Sequence, residues 1–103
     1  MKRFKTTVTR TDEYIIEIDE NELNEQWMDD FRSSFYNFHT LERHAEHIAQ
    51  IRARIGEGFI EGYGNTMVNG KPPWWNTNDY EKAINIKIVS EDKDCEVEVE
   101  EVE

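Results

Sequence analysis

The chain predicts an α+β domain of order ββααβββ, a mainly antiparallel sheet with two helices packed on one face. Three observations carry this reading. β-branched and aromatic residues dominate Lys2 to Arg10 and Tyr14 to Ile18, the usual composition of strands. Between Leu23 and Ile55 the apolar residues recur at helical spacings. Beyond Gly56 the pattern returns to alternation, as in Ile84, Ile86 and Ile88 against Asn85 and Lys87.

The elements follow in order. A turn at Arg10-Thr11-Asp12 separates the first two strands. Asp19 followed by Glu22 fits a capping-box start, and Leu23, Trp27, Phe31, Ser34, Phe35 and Phe38 form one broad face of a first helix. Thr40 caps a second helix that runs to Ile55, with Gly56 placed to end it in the left-handed region. Leu41, Ala45, Ile48, Ile51 and Ile55 make its buried stripe. Arg43, His47, Gln50 and Arg54 fall on the opposite face, whereas His44 and Arg52 project within the stripe. Phe59 to Val68 reads as a strand interrupted by Gly62 and Gly64, ending at Asn69-Gly70, a tight-turn dipeptide. Ala83 to Val89 and the segment carrying Cys95, Val97 and Val99 complete the strands. With 103 residues there is room for one domain spanning residues 1–103, and no repeat or linker divides it. A small core with 12% aromatic residues favours completion by self-association, so a homo-oligomer is expected.

Formal net charge is −11, which repels nucleic acid and anionic membrane in general and argues against direct nucleic-acid binding. Three kinds of partner remain: a basic protein, a target that the chain deceives by imitating nucleic acid, or a small anion held in a locally basic pocket. The acids crowd the C-terminal segment, where Glu91, Asp92, Asp94, Glu96, Glu98, Glu100, Glu101 and Glu103 accompany one Lys. The segment from Leu41 to Ile55 is instead a basic island. A single Cys95 excludes an internal disulfide, and nothing reads as a secretory signal or membrane span, so a cytoplasmic protein is expected.

The chemistry of catalysis finds little purchase here. No serine lies on a strained elbow, and Cys95 reads as a small hydrophobe in an alternating strand. The Gly56-x-Gly58 and Gly62-x-Gly64 pairs lack the Lys-Ser/Thr and the strand–loop–helix setting of a phosphate loop. His39, His44 and His47 lack the further ligands that zinc requires. The expectation is a non-enzyme without cofactor or metal.

Binding chemistry is better represented. Trp74 and Trp75 are adjacent, behind Pro72-Pro73, and two successive side chains of an extended segment point to opposite sides. At least one is therefore available to a ligand or to another subunit. An indole stacks on a base, and an Arg guanidinium bonds phosphate bidentately. Asn65, Asn76, Asn78 and Asn85 are suited to base edges or ribose hydroxyls. Arg52, within an apolar stripe, requires a partner that is either a core carboxylate or a ligand phosphate. The candidate ligand-binding set is Arg43, His47, Arg52, Arg54, Trp74, Trp75, Asn76 and Asn85.

The size, the acidic balance, the run Arg10-Thr11-Asp12-Glu13-Tyr14-Ile15-Ile16-Glu17-Ile18 and the segment Gly62-Tyr63-Gly64…Asn69-Gly70-Lys71…Trp74-Trp75 resemble small phage proteins that counter bacterial defence. Within that group the chain resembles the anti-Thoeris sponge family, non-enzymatic oligomers that sequester cyclic ADP-ribose signals made by TIR-domain proteins. The resemblance implies a cyclic nucleotide ligand and a site of action in the cytoplasm of the infected cell. It also implies a pocket where an aromatic stacks on adenine, an Asn reads polar edges and helix arginines hold the diphosphate. Trp75, Asn85 and Arg52 or Arg54 match those parts, with Lys87 or Lys93 in place of a late Arg. The second function class is an acidic imitation of nucleic acid that occupies a host nuclease or CRISPR effector, carried by Glu96, Glu98 and Glu100.

Overall fold

A computed structural model describes residues 1–75, 80–92 and 95–102. It is an α+β domain with strands β1 (Arg3–Thr9) and β2 (Glu13–Ile18), helices α1 (Glu25–Ser34) and α2 (Leu41–Ile55), and strands β3 (Phe59–Ile60), β4 (Gly64–Val68), β5 (Glu81–Ser90) and β6 (Glu96–Val102). Four strands follow the helices, one more than expected. Phe59 to Val68 folds back on itself as a β3–β4 hairpin, because Gly62 takes φ 90° and Gly64 φ 92°. A Cβ at Gly62 would sit 2.9 Å from Phe31 Cε2, in a backbone region that side chains seldom adopt. Gly62→Ala is therefore expected to cost about 1–3 kcal/mol in urea unfolding, with an unchanged m-value.

The larger sheet has the order β2-β5-β4-β3. β2 pairs antiparallel with β5, and β4 pairs parallel with it. A parallel neighbour requires a connection of about a dozen residues. Residues 69–80 make that crossing, and this is why the tryptophan loop is long. β1 and β6 form a separate two-stranded antiparallel ribbon. It continues β2 and β5 past an irregular junction where Asp12 Oδ1 accepts from Asp92 N at 2.8 Å and Arg10 donates to Asp12 Oδ2. The molecule is accordingly 56 Å long and only 21 Å thick.

Helix α1 begins later than the Asp19 box indicated. Asp19 closes a turn with Glu22 and Leu23, and Asn24 is the true N-cap, its Oδ1 accepting from Trp27 N at 3.0 Å. Helix α2 starts and stops as its sequence dictates, with Thr40 Oγ1 accepting from Arg43 N at 3.3 Å and Gly56 at φ 77°. Its inward face carries Ile48 and, as expected, His44, both fully buried. Leu23, Phe31, Ile48, Ile60, Tyr63, Ala83, Ile84 and Ile86 form the core.

Part of this core is a ring cluster rather than an aliphatic one. His44 lies edge-on to Phe31 at 4.8 Å, and its Nδ1 is 2.6 Å from Tyr63 Oη. His47, expected on the open face, is half-buried instead, because Tyr36 and Phe38 fold back over it. Burial first, then the neighbouring positive charges of His47 and Arg32, holds His44 below the ordinary 6.5; burial and Arg43 do the same for His47. Both rings take up protons more readily in the unfolded chain. Their stability contribution is therefore complete above about pH 6.5 and declines as pH falls below it. A urea midpoint that drops between about pH 7 and 5, and drops less in His44→Phe, is the expected result.

Cys95 does not lie in the last strand. It precedes β6 at φ 51°, its N–H bonded to Asp92 Oδ1 at 3.1 Å. No helix among the described residues is long and apolar enough to cross a membrane.

Candidate functional site

The crossing between β4 and β5 is shaped by its first four residues. Asn69 and Gly70 both take positive φ, 53° and 77°, the requirement of the tight turn their sequence announces. The chain reverses so that Val68 and Lys71 exchange two backbone hydrogen bonds at 3.0 and 3.1 Å. Pro72-Pro73 then stiffens the backbone that presents the two indoles. Trp74 is 87% and Trp75 58% exposed, and their rings stand 88° apart with centroids 5.7 Å from one another. The expectation that at least one would be available is met by both.

Beneath them lies a cavity of about 420 Å³, lined by Arg52, Gly56, Glu57, Gly58, Asn65, Thr66, Val68, Lys71, Pro72, Pro73, Trp74 and Trp75. Helix α2 contributes its last turn, β4 one face and the crossing loop the outer wall. Arg52 comes from helix α2 and the indoles from a loop some twenty residues later, yet they meet here. The size lies within the usual range of small-molecule sites.

Arg52 is held by a carboxylate. Its Nε and Nη2 donate to Glu91 Oε2 and Oε1 at 3.3 and 3.2 Å, with the two side chains only 11% and 8% exposed. Tyr14 Oη donates to the same Glu91 Oε2 at 2.6 Å. Burial, with that carboxylate beside it, pushes the Tyr14 phenol up to about 12. Of the two partners the sequence allowed for Arg52, the structure supplies the carboxylate. The guanidinium is thereby held at the cavity wall, and exposed Lys71 also lines the cavity.

The other expected residues lie elsewhere. Arg43 is exposed, paired with Glu46 at 2.8 Å and stacked 5.1 Å over Phe38. His47 and Arg54 border a different, smaller cavity of about 350 Å³ with Tyr36, Ile51 and Phe59. Asn85 is committed to the fold: its Oδ1 accepts from Gly70 N at 2.9 Å and its Nδ2 donates to Glu17 Oε1 at 2.7 Å. It secures the turn that sets the tryptophans rather than facing them. Lys87 lies on β5 opposite Ile15. Asn76, Asn78 and Lys93 fall outside the described residues. Lys71 and Glu57 line the cavity but were not in the candidate ligand-binding set. The signal for Lys71 was its place directly after the Asn69-Gly70 turn, which returns the following residue beside β4.

Among the described residues no three His, Cys, Asp or Glu side chains converge as metal ligands. What the cavity offers is two aromatic faces, a fixed guanidinium, an ammonium and the amide of Asn65. Such a set can stack a flat group and hold an anion. Compared with known protein families, curated proteins and solved structures, the chain matches none.

Proposed function

We propose that this chain is a non-enzymatic binding protein that captures a small planar anion of the nucleotide class in the cavity beneath Trp74 and Trp75. The observation that carries the reading is the convergence of both indoles with Arg52 and Lys71 on one cavity. A base stacks on an indole, while phosphate takes Lys71 and the Nη1 donors that Arg52 does not give to Glu91; Asn65 meets a polar edge of the base or ribose. Among the described lining residues the one hydroxyl, Thr66 Oγ1, donates to Gly58 O at 2.8 Å. Capture without conversion is the function this chemistry supports. The resemblance to anti-Thoeris sponges makes cyclic ADP-ribose the first ligand to test, and an anti-defence role inside an infected cell the setting.

Thermal unfolding with a panel of mono-, di- and cyclic nucleotides tests it. A ligand at a hundred times its dissociation constant adds about 2.7 kcal/mol, a shift on the order of 10 °C in a domain this small. Heat release followed by mass spectrometry is expected to return the nucleotide intact. A hydrolysed product, or no shift with any member of the panel, contradicts the proposal. Glu57 on the cavity wall opposes an anion, so Glu57→Gln is expected to tighten binding about two- to fivefold in the same assay.

A second reading rests on a separate observation. Glu96, Glu98 and Glu100 project from one exposed face of the outlying β1–β6 ribbon, roughly 6.8 Å apart. That row suits a basic cleft on a nuclease. Pull-down of such an enzyme, lost on neutralising all three, would favour imitation of nucleic acid over capture of a nucleotide.

A further inference from the structure

The charges around the cavity beneath Trp74 and Trp75 cancel. Arg52, Glu57 and Lys71 are the charged residues of its described lining. Arg52 is neutralised by Glu91 at 3.2 Å. Among the described residues neither Glu57 nor Lys71 has an ion-pair partner, so one carboxylate stands against one ammonium. The chain as a whole carries −11, and a bare anion approaches against that field. A nucleotide with an uncharged base places its phosphate on Lys71 and Arg52 and leaves Glu57 opposed. A ligand that is positive at one end and negative at the other uses every charge in the lining.

The indoles say where the positive end belongs. The face of an aromatic ring is the negative side of its quadrupole, and tryptophan attracts a cation more strongly than the other aromatic side chains. The two rings stand 88° apart with centroids 5.7 Å from one another. Planes at a right angle make a corner, so a flat cation stacked on one ring turns its positive edge to the face of the other. We propose, resting on the reading of this cavity as a nucleotide site, that its ligand class is a nucleotide whose base is a planar cation, quaternised on a ring nitrogen. The charged ring occupies the indole corner with Glu57 as its counter-charge, and the phosphate takes Lys71 and Nη1 of Arg52. Two sources share this chemistry: a purine alkylated on a ring nitrogen and the pyridinium of a nicotinamide nucleotide.

Calorimetric titration with two matched pairs decides this. Guanosine monophosphate is set against its N7-methyl derivative at mildly acidic pH, where the methylated base keeps its N1 proton and its positive charge. Reduced nicotinamide mononucleotide is set against the oxidised form at neutral pH. The members of each pair differ in the charge of the ring and share the phosphate. The cationic member of at least one pair is expected to bind about tenfold more tightly than its neutral partner, and the pair that does so identifies the source. Glu57→Gln, at an exposed loop position, is expected to move the two members of that pair in opposite directions. It weakens the cationic one about fivefold and tightens the neutral-base one. Equal affinity within both pairs, or tightening of both members alike in Glu57→Gln, overturns the cationic class and leaves nucleotide capture standing. Binding of none of the four overturns both.

Discussion

Glu91→Ala is expected to cost about 3–5 kcal/mol, the largest single loss for any substitution outside the aliphatic core. The reason is what it leaves behind. Arg52 is only 11% exposed and gives two of its hydrogen bonds to this carboxylate, and a buried guanidinium deprived of its counter-charge pays its desolvation without return. Tyr14 loses its acceptor in the same substitution. Such a loss is a large fraction of what a domain of this size possesses, so the urea midpoint is expected to fall by about half or more. Replacing the pair together, Arg52→Met with Glu91→Leu, is expected to recover most of the stability, because a well-packed apolar pair of similar volume does as well as a buried ion pair. That double variant folds without the cavity's guanidinium. It therefore separates the structural duty of Arg52 from its duty toward a ligand.

Trp75→Ala is expected to have the largest effect on binding. Stacking on an indole contributes roughly 1–3 kcal/mol per base, so affinity should fall about 5- to 150-fold. At 58% exposure the ring does little for the core, and the melting temperature of the free protein should stay within about 2 °C of wild type. Trp74→Ala is expected to behave similarly with a smaller loss, since that ring is more open to solvent. Loss of affinity together with collapse of the fold would instead assign the indoles to packing.

The sequence made local structure legible and distant structure much less so. Thr40, Gly56 and Asn69-Gly70 act through neighbours three or four residues away, and each did what its chemistry dictates. The start of α1 was displaced because two capping residues compete, and Asp19 spends its side chain on Asn21 N in a turn instead. The parallel pairing of β4 with β5 left no mark in the alternation of either strand. His47 looked solvated on a helical wheel, but segment 35–39 returns over it, and a wheel sees only its own helix. In the site, Arg52 and the tryptophan pair were legible because a charge inside an apolar stripe and two successive indoles are each anomalous. Glu91, 39 residues from Arg52, gave no such sign, and Asn85 gave a false one, since an amide that braces a turn looks in sequence like one that reads a base.

Calorimetric titration of cyclic ADP-ribose and the companion nucleotides into wild type, Trp75→Ala and Arg52→Met/Glu91→Leu tests most directly whether indoles and guanidinium act as one cavity. The predicted outcome is saturable binding of one nucleotide per cavity in wild type, with both variants folded and each binding at least fivefold more weakly. Equal affinity in all three proteins, or no heat from any nucleotide, would contradict it.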